Sequence, residues 1–385
     1  MRKNKLKLGL FIPPFHALNE NPTLCLERDL QITQFADEIG MSEVWYGEHH
    51  SGGYEIIMSP ELLIAAAAER TKRIKLGTGV ITMPYHNPLM MANRLAQLDH
   101  MTRGRLLFGA GPGLLTADAE MLGLDARESR EKLDQGIGVV KRLLSGEWVT
   151  EKTSWYDLRD AHCHLLPYNE NLEIAVASAF SPSGGVLAAK YNASMLALAA
   201  TTPDGYDALA GNWKIACDES AKYGRTMDPA QLRCATDMHI ADTRDKAMDQ
   251  ARKGFEITHR YFANQTAHVA NEGATATLEG MVERGEAVIG TPDDAVALIR
   301  RLEAKVADFG TLLLLDKNWA SFENKKNSLE MIMRYVLPEI NGDNASRQKS
   351  FDWQGVNRDK FEGTFVQAAQ RAFDRYAETH PEAAK

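Results

Sequence analysis

Short apolar runs alternate with amphipathic stretches along most of the chain. Eight runs read as strands: Leu6–Ile12, Glu43–Tyr46, Ile74–Thr82, Arg105–Gly109, Leu172–Ala177, Ser194–Ala199, Gln231–Ala241 and Thr311–Leu315. Between them the spacing predicts helices over Thr23–Ile39, Pro60–Arg70, Pro88–Met101, Ser129–Leu144, Pro182–Tyr191, Tyr206–Tyr223, Thr243–Phe262 and Thr291–Ala307, with Ser328–Leu337 after the last strand. Ser59-Pro60-Glu61 and Thr291-Pro292-Asp293-Asp294 each place an N-cap, a first-turn proline and acids where a helix begins. Gly40 suits a helix end. Leu312-Leu313-Leu314-Leu315 is apolar throughout, as a strand covered on both faces must be. Repeated βα units predict an α/β protein built as a closed (β/α)8 TIM barrel. An open doubly wound sheet is the competing arrangement.

Two longer connections interrupt the alternation. Gly146–Glu170 is rich in Trp, Tyr and His, and Ala263–Ala287 is polar. Connections of that length are expected to serve as lids. Composition changes after Pro338, which divides the chain into a barrel over 1–340 and a C-terminal extension over 341–385. In the extension Asn341–Ser350 reads as polar and loose. Arg358–Glu378 reads as a helix with Phe361, Phe365, Ala368, Ala372 and Tyr376 on one stripe.

The chain of 385 residues is 44% hydrophobic and 25% charged. That is enough to bury a large core without staples. A formal net charge of −8 argues against nucleic acid as a partner, because a phosphate backbone needs a basic face. No apolar run approaches the roughly 20 residues of a membrane span. Met1–Lys5 is basic and precedes an apolar stretch, but Leu8–Phe15 is short and holds two prolines. It reads as a charged leader to the first strand rather than a signal peptide. Cys25, Cys163, Cys217 and Cys234 are widely scattered, which predicts a reducing, cytoplasmic setting without disulfides.

Candidate chemistry clusters at predicted strand ends, where α/β proteins bind ligands. Glu48-His49-His50 follows the second strand. Two imidazoles and a carboxylate beside a buried strand are costly unless paired, so an active-site edge is the reading, with His49 or His50 as a proton carrier. A structural pairing of Glu48 is the plainer alternative. Leu76-Gly77-Thr78-Gly79-Val80 ends the third strand; its glycines admit a close-lying group or merely a bend. Gly109-Ala110-Gly111-Pro112-Gly113 ends the fourth. Its spacing departs from a dinucleotide fingerprint and suits contact with a flat ring. Ser178-Ala179-Phe180-Ser181-Pro182-Ser183-Gly184-Gly185 joins the fifth strand to a helix start. Free N–H groups, hydroxyls and glycines there make an anion cradle, with phosphate as the natural guest and a simple N-cap as the alternative. Arg130 offers a nearby cation. His162-Cys163-His164 has no matching ligand motif, so no metal site is expected.

In their order along the chain, these segments resemble the bacterial luciferase-like flavin monooxygenase family. The residues that carry the resemblance are Val44 through His50, Leu76 through Val80, Pro84 through Pro88, Leu98-Asp99-His100-Met101-Thr102-Arg103-Gly104-Arg105-Leu106-Leu107-Phe108-Gly109, and Ser181 through Gly185. It spans about residues 6–340. Chain length and Tyr85-His86-Asn87-Pro88 most resemble the limonene monooxygenase-type members. The resemblance implies a (β/α)8 barrel that binds FMN, as reduced FMNH2, at its C-terminal face. The ring would lie against Gly79, Val80, Gly111 and Leu114, with a Gly79–Val80 peptide that is often cis in the family. Ser178, Ser181, Ser183, Gly184, Gly185 and Arg130 would hold the phosphate. His49 would be catalytic, with His50 and His86 in reserve, and Glu48 would lie near a subunit interface. Pro112 replaces an arginine common in the family and Phe180 replaces an acid, which argues against luciferase-type aldehyde chemistry.

The implied reaction joins reduced flavin to O2 as a C4a-(hydro)peroxide, which oxygenates a small apolar terpene, ketone or aldehyde. Phe11, Trp45, Met83, His86, Trp155 and Tyr156 are the expected pocket walls. A separate flavin reductase would supply FMNH2, and a homodimer is expected. The rival readings are a deazaflavin-dependent dehydrogenase of the same fold, a non-catalytic flavin binder, and a generic barrel hydrolase, for which no metal or carboxylate cluster is evident.

Overall fold

The computed structural model describes residues 2–265, 277–380 and 382. Its strands, in chain order, are β1 (Lys7–Ile12), β2 (Glu43–Tyr46), β3 (Lys75–Thr78), β4 (Ile81–Thr82), β5 (Leu106–Gly111), β6 (Val149–Lys152), β7 (Asp157–Ala161), β8 (Glu173–Ser178), β9 (Ser194–Ala197), β10 (Leu232–Ile240), β11 (Ala287–Gly290) and β12 (Thr311–Leu315). Parallel pairing runs β1-β2-β3-β5-β8-β9-β10-β12 and returns from β12 to β1, closing the predicted barrel. Every strand in the ring points the same way, so all their carboxyl ends share one rim.

The barrel interior is filled rather than hollow. Phe11, Trp45, Leu107, Ala175, Leu196, Ala235 and Leu313 form one buried inner cluster. Trp45 is the largest, and the register sets it beside Gly77 on the next strand. A Cβ on Gly77 would stand 2.5 Å from the indole. Below it Arg233 lies over the indole at 5.1 Å and pairs with Glu43 at 2.7 Å and Glu173 at 2.8 Å. These buried charges are satisfied by one another, as burial requires.

The described helices around the ring begin with α1 (Pro22–Glu38), α2 (Pro60–Arg70), α3 (Pro88–Thr102), α4 (Thr116–Met121), α5 (Ser129–Leu144), α6 (Ser183–Tyr191), α7 (Pro203–Lys222) and α8 (Arg244–Gln265). They pack one face each. On α5 the buried Leu133, Ile137, Val140 and Leu143 recur every three or four residues, each contributing about 1.5–3 kcal/mol when fully buried. Among the described residues no helix is long and apolar enough to cross a membrane.

Four local expectations are corrected. The third strand breaks in two at a cis Gly79–Val80 peptide. Ala287–Gly290, of which Ala287 falls in the long connection and the rest in no predicted element, is a strand pairing with Asp237–Ile240 outside the ring. The 146–170 connection folds as the β6–β7 hairpin, packed against α5 through the main core. Residues 345–350, read as loose, belong to the helix Ala345–Val356. Of the second lid candidate, 266–276 lies outside the described residues. The chain divides into two compact units, Met1–Ile340 and Asn341–Lys385. The second contains Ala345–Val356 and the helix Arg358–Thr379, with the Trp353 and Phe361 rings 5.1 Å apart.

Candidate active site

After β2 the chain turns over the rim as Gly47-Glu48-His49-His50-Ser51. Backbone bonds hold this turn to its neighbours: Gly47 N–H donates to Ile12 O at 3.0 Å, and His49 N–H to Ile57 O at 3.1 Å. Three histidines and two carboxylates meet there, and their hydrogen bonds give each a distinct state.

Glu48 is 3% exposed. Its Oε1 accepts from His86 Nε2 at 2.7 Å and His50 Nε2 at 3.1 Å, and its Oε2 from the Thr82 N–H at 2.6 Å. Burial opposes ionisation of Glu48, but these bonds outweigh it and hold the carboxyl below its usual range. The His50 pKa is raised, chiefly by its bond to Glu48, with burial opposing. His86 is fixed differently. Arg94 donates to its Nδ1 at 3.1 Å, so the ring proton sits on Nε2 and goes to Glu48. His86 is therefore clamped at both nitrogens.

His49 has a different partner. Its Nδ1–H donates to Asp118 Oδ2 at 2.9 Å, while Asp118 Oδ1 accepts from the His50 N–H at 3.2 Å and the Ser51 hydroxyl at 2.5 Å. Asp118, on α4, is 1% exposed. Burial again opposes its charge, and the bonds from His49 and Ser51 prevail, lowering its pKa. In a neutral imidazole a proton held on Nδ1 leaves Nε2 with a lone pair. No described residue bonds that nitrogen. This is how a carboxylate orients a histidine for proton transfer.

The remaining candidates lie along the same rim. From β2 the ring order passes β3, with Gly79 and Val80, then β5, with Gly111, then β8, with Ser178. Three strand spacings separate the histidine turn from Ser178, roughly 14 Å along the rim. Beyond Ser178, the Ser181 and Ser183 hydroxyls bond each other at 2.8 Å where α6 begins. A Cβ on Gly184 would stand 2.7 Å from the Ala177 carbonyl, so only glycine lets α6 start this close to the strand end. Ser178 is 4% exposed and its Oγ has no partner among the described residues. An unmet buried hydroxyl beside open helix N–H groups fits a bound anion. Arg130 is exposed on α5, one turn before Asp134, which binds Lys190 and Tyr191 at the far end of α6. Leu114 is 71% exposed on the loop after β5.

The expected pocket walls divide. Phe11 is 7% exposed at the top of the inner cluster, with Val80, Leu198 and Leu315 partly buried against it. His86 belongs to the Glu48 network. The other four pack against neighbouring elements. Trp45 is wholly buried inside the barrel, and Met83 is wholly buried against Gly136 of α5. Trp155 donates to Gln135 of α5 at 2.7 Å, and Tyr156 donates to Glu151 of its own hairpin at 2.5 Å. Their aromatic size suggested a lid, but the hairpin spends it on packing. His162 stacks on Trp148 at 3.8 Å and Cys163 is buried. Asp118 and Arg94 were missed. Each sits in a helix with nothing local to mark it.

The chain was compared with known proteins. A family model described as luciferase-like monooxygenase matches residues 6–308. Limonene 1,2-monooxygenase from Rhodococcus erythropolis is 43% identical, over 95% of this chain and 94% of that one. 4-Hydroxyprotoasukamycin monooxygenase from Streptomyces nodosus subsp. asukaensis is 39% identical, over 91% and 96%. A solved structure of the oxygenating constituent of 3,6-diketocamphane monooxygenase from Pseudomonas putida, in complex with FMN, matches with a TM-score of 0.73 at 22% identity, covering 87% of this chain and 98% of that one, which shows a common fold. The order of motifs along the barrel, the matched span and the identity to full-length relatives agree: the chain belongs to the luciferase-like monooxygenase family.

Proposed function

We propose that the protein is the oxygenase of a two-component system, which takes FMNH2 from a separate reductase and adds one atom of O2 to a small apolar molecule. The observation that carries this reading is the arc of rim from His49 Nε2, which no described residue bonds, past Gly79, Val80 and Gly111, to the Ser178–Gly185 corner. That arc is long enough for a flavin ring at one end and its phosphate at the other. The relatives' names, one a limonene oxygenase and one an FMN-bound ketone oxygenase, support the substrate class and the cofactor.

In this reading Ser178, Ser181, Ser183 and the N–H groups of Gly184 and Gly185 bind the phosphate, with Arg130 adding charge. Gly79, Val80, Gly111 and Leu114 position the ring. Bound reduced flavin supplies the electrons for oxygen activation, one oxygen atom going to substrate and the other to water. His49 Nε2 accepts and returns the proton this requires, while Asp118 keeps its Nδ1 occupied. Phe11, Val80, Leu198 and Leu315 floor the mouth with apolar surface, which keeps water from the reacting atoms and suits a hydrocarbon-like substrate.

The test is oxygen uptake with a flavin reductase, NADH and a panel of terpenes, ketones and aldehydes. The chain alone is expected not to oxidise NADH; with reductase and FMN it consumes O2 and forms an oxygenated product. Oxygen-independent hydride transfer with a deazaflavin would overturn the proposal. The mass of the same preparation in solution checks the expected homodimer.

A second expectation concerns the cradle. Gly184→Ala brings a methyl against the Ala177 carbonyl and pushes the start of α6 outward. FMN affinity should fall about 10-fold or more, the scale of one or two charge-assisted hydrogen bonds, while riboflavin affinity stays unchanged. Equal losses for both flavins would place the phosphate elsewhere.

A further inference from the structure

We propose that the Tyr85 hydroxyl is a hydrogen-bond donor to the ring system of the bound flavin, a role that rests on the flavin reading above and adds a residue to it. Tyr85 closes the 3-10 turn Met83–Tyr85 that follows β4. Its ring meets His50 edge-on, with centroids 5.9 Å apart. That contact fixes the ring's plane and sends the hydroxyl across to the loop after β5. A Cβ on Gly113 would stand 2.9 Å from this hydroxyl, and Gly113 has φ +89°, a conformation suited to glycine. The phenol therefore reaches the loop between Gly111 and Leu114, where the ring is expected to lie.

The hydroxyl lies at a half-buried residue, where a bound ring can reach it. No hydrogen bond joins it to another described residue. Burial, then the nearby Asp118 and Glu48 charges, push its pKa up to about 12, so the proton stays on oxygen at neutral pH. Both carboxylates that could accept it are already occupied, Glu48 by His50, His86 and Thr82, and Asp118 by His49, His50 and Ser51. A phenylalanine would make the same ring contact with His50. What tyrosine adds is an O–H directed at the flavin arc, and the carbonyl oxygens and ring nitrogens of an isoalloxazine are acceptors of the kind it lacks.

The experiment is anaerobic titration of wild type and Tyr85→Phe with oxidised FMN and, separately, riboflavin, read by flavin fluorescence and visible absorption. The variant should keep the wild-type melting temperature, because ring packing is preserved. Both flavins should bind about 3- to 10-fold more weakly, the worth of one hydrogen bond, and the visible band of bound flavin should shift. Unchanged affinity and spectrum would show that the hydroxyl meets only water and end the assignment. A loss confined to FMN would move the contact to the phosphate and end it equally. If wild type binds neither flavin, the oxygenase reading fails, and this inference with it; if wild type binds and the variant binds identically, only the Tyr85 role fails.

Discussion

Asp118→Asn is expected to lower coupled oxygenation by about 10²–10⁴-fold while flavin binding persists, the range seen when a base loses its orienting carboxylate. The reason is a proton's position. Asp118 accepts the Nδ1 proton of His49 at 2.9 Å, which leaves Nε2 as the basic atom. An asparagine can turn its amide N–H towards Nδ1, which moves the ring proton to Nε2 and removes the base. Asp118 also accepts from Ser51 and the His50 N–H, so loss of loop order must be told apart from loss of the tautomer. Ser51→Ala removes one of those bonds without touching His49, and should retain most of the activity. Asp118→Glu, which restores a carboxylate, should recover part of it. The pH profile gives the second readout: it should change in Asp118→Asn and stay that of wild type in Ser51→Ala. Full coupled turnover in Asp118→Asn would remove His49 from the reaction.

The same geometry separates three histidines that are equivalent by residue type. His86 is held at Nε2 by Glu48 and at Nδ1 by Arg94, so it has no atom left with which to carry a proton. His50 shares Glu48 and is drawn towards the cationic form by it. His49 and His50 each face a carboxylate with one nitrogen and leave the other unbonded by any described residue, but His49 has Asp118 to itself among the imidazoles, whereas His50 shares Glu48 with His86. The sequence shows that imidazoles sit at a strand end; it does not show which carboxylate each will face, because Asp118 lies 68 residues from His50 and 69 from His49.

The barrel was legible for a related reason. Each ring strand is covered on both faces, so its apolar run stands out from the amphipathic helices beside it. β11 was not legible. It is four residues long, pairs among the described strands with β10 alone, and runs straight into the stronger helix-cap signal at Thr291. The β6–β7 hairpin was hidden by composition, since Trp155 and Tyr156 look equally like a lid and like packing residues until α5 is placed beneath them. At the site, the glycine positions and the serine corner were readable because close approach and open N–H groups demand particular residue types. Which positions belong to ring and which to phosphate came from the resemblance to a family. Asp118 and the orientation of Tyr85 are products of folding alone.

Glu48→Gln is expected to destabilise the barrel by about 3–5 kcal/mol, the cost of breaking a buried charged network by removing one partner. Three donors converge on this carboxylate, from His50, His86 and the backbone of Thr82. A glutamine offers one acceptor oxygen and turns an NH2 towards donors that need to be met, so at least one buried group goes unpaired. The pH dependence supplies a sharper check than the magnitude. Glu48 has a depressed pKa in the folded chain, so its contribution is present above the ordinary 4.5 and is lost as pH falls through the lowered value. His50 has a raised one, so its contribution is complete below the ordinary 6.5 and fades as pH rises through the raised value. The pair therefore favours folding most strongly between those two ordinary values. Urea unfolding across this range should give wild type a stability advantage over Glu48→Gln that is largest in the interval and shrinks on both sides. An advantage independent of pH would mean that Glu48 acts through packing, and that the charge shared among the histidines does not hold the mouth together.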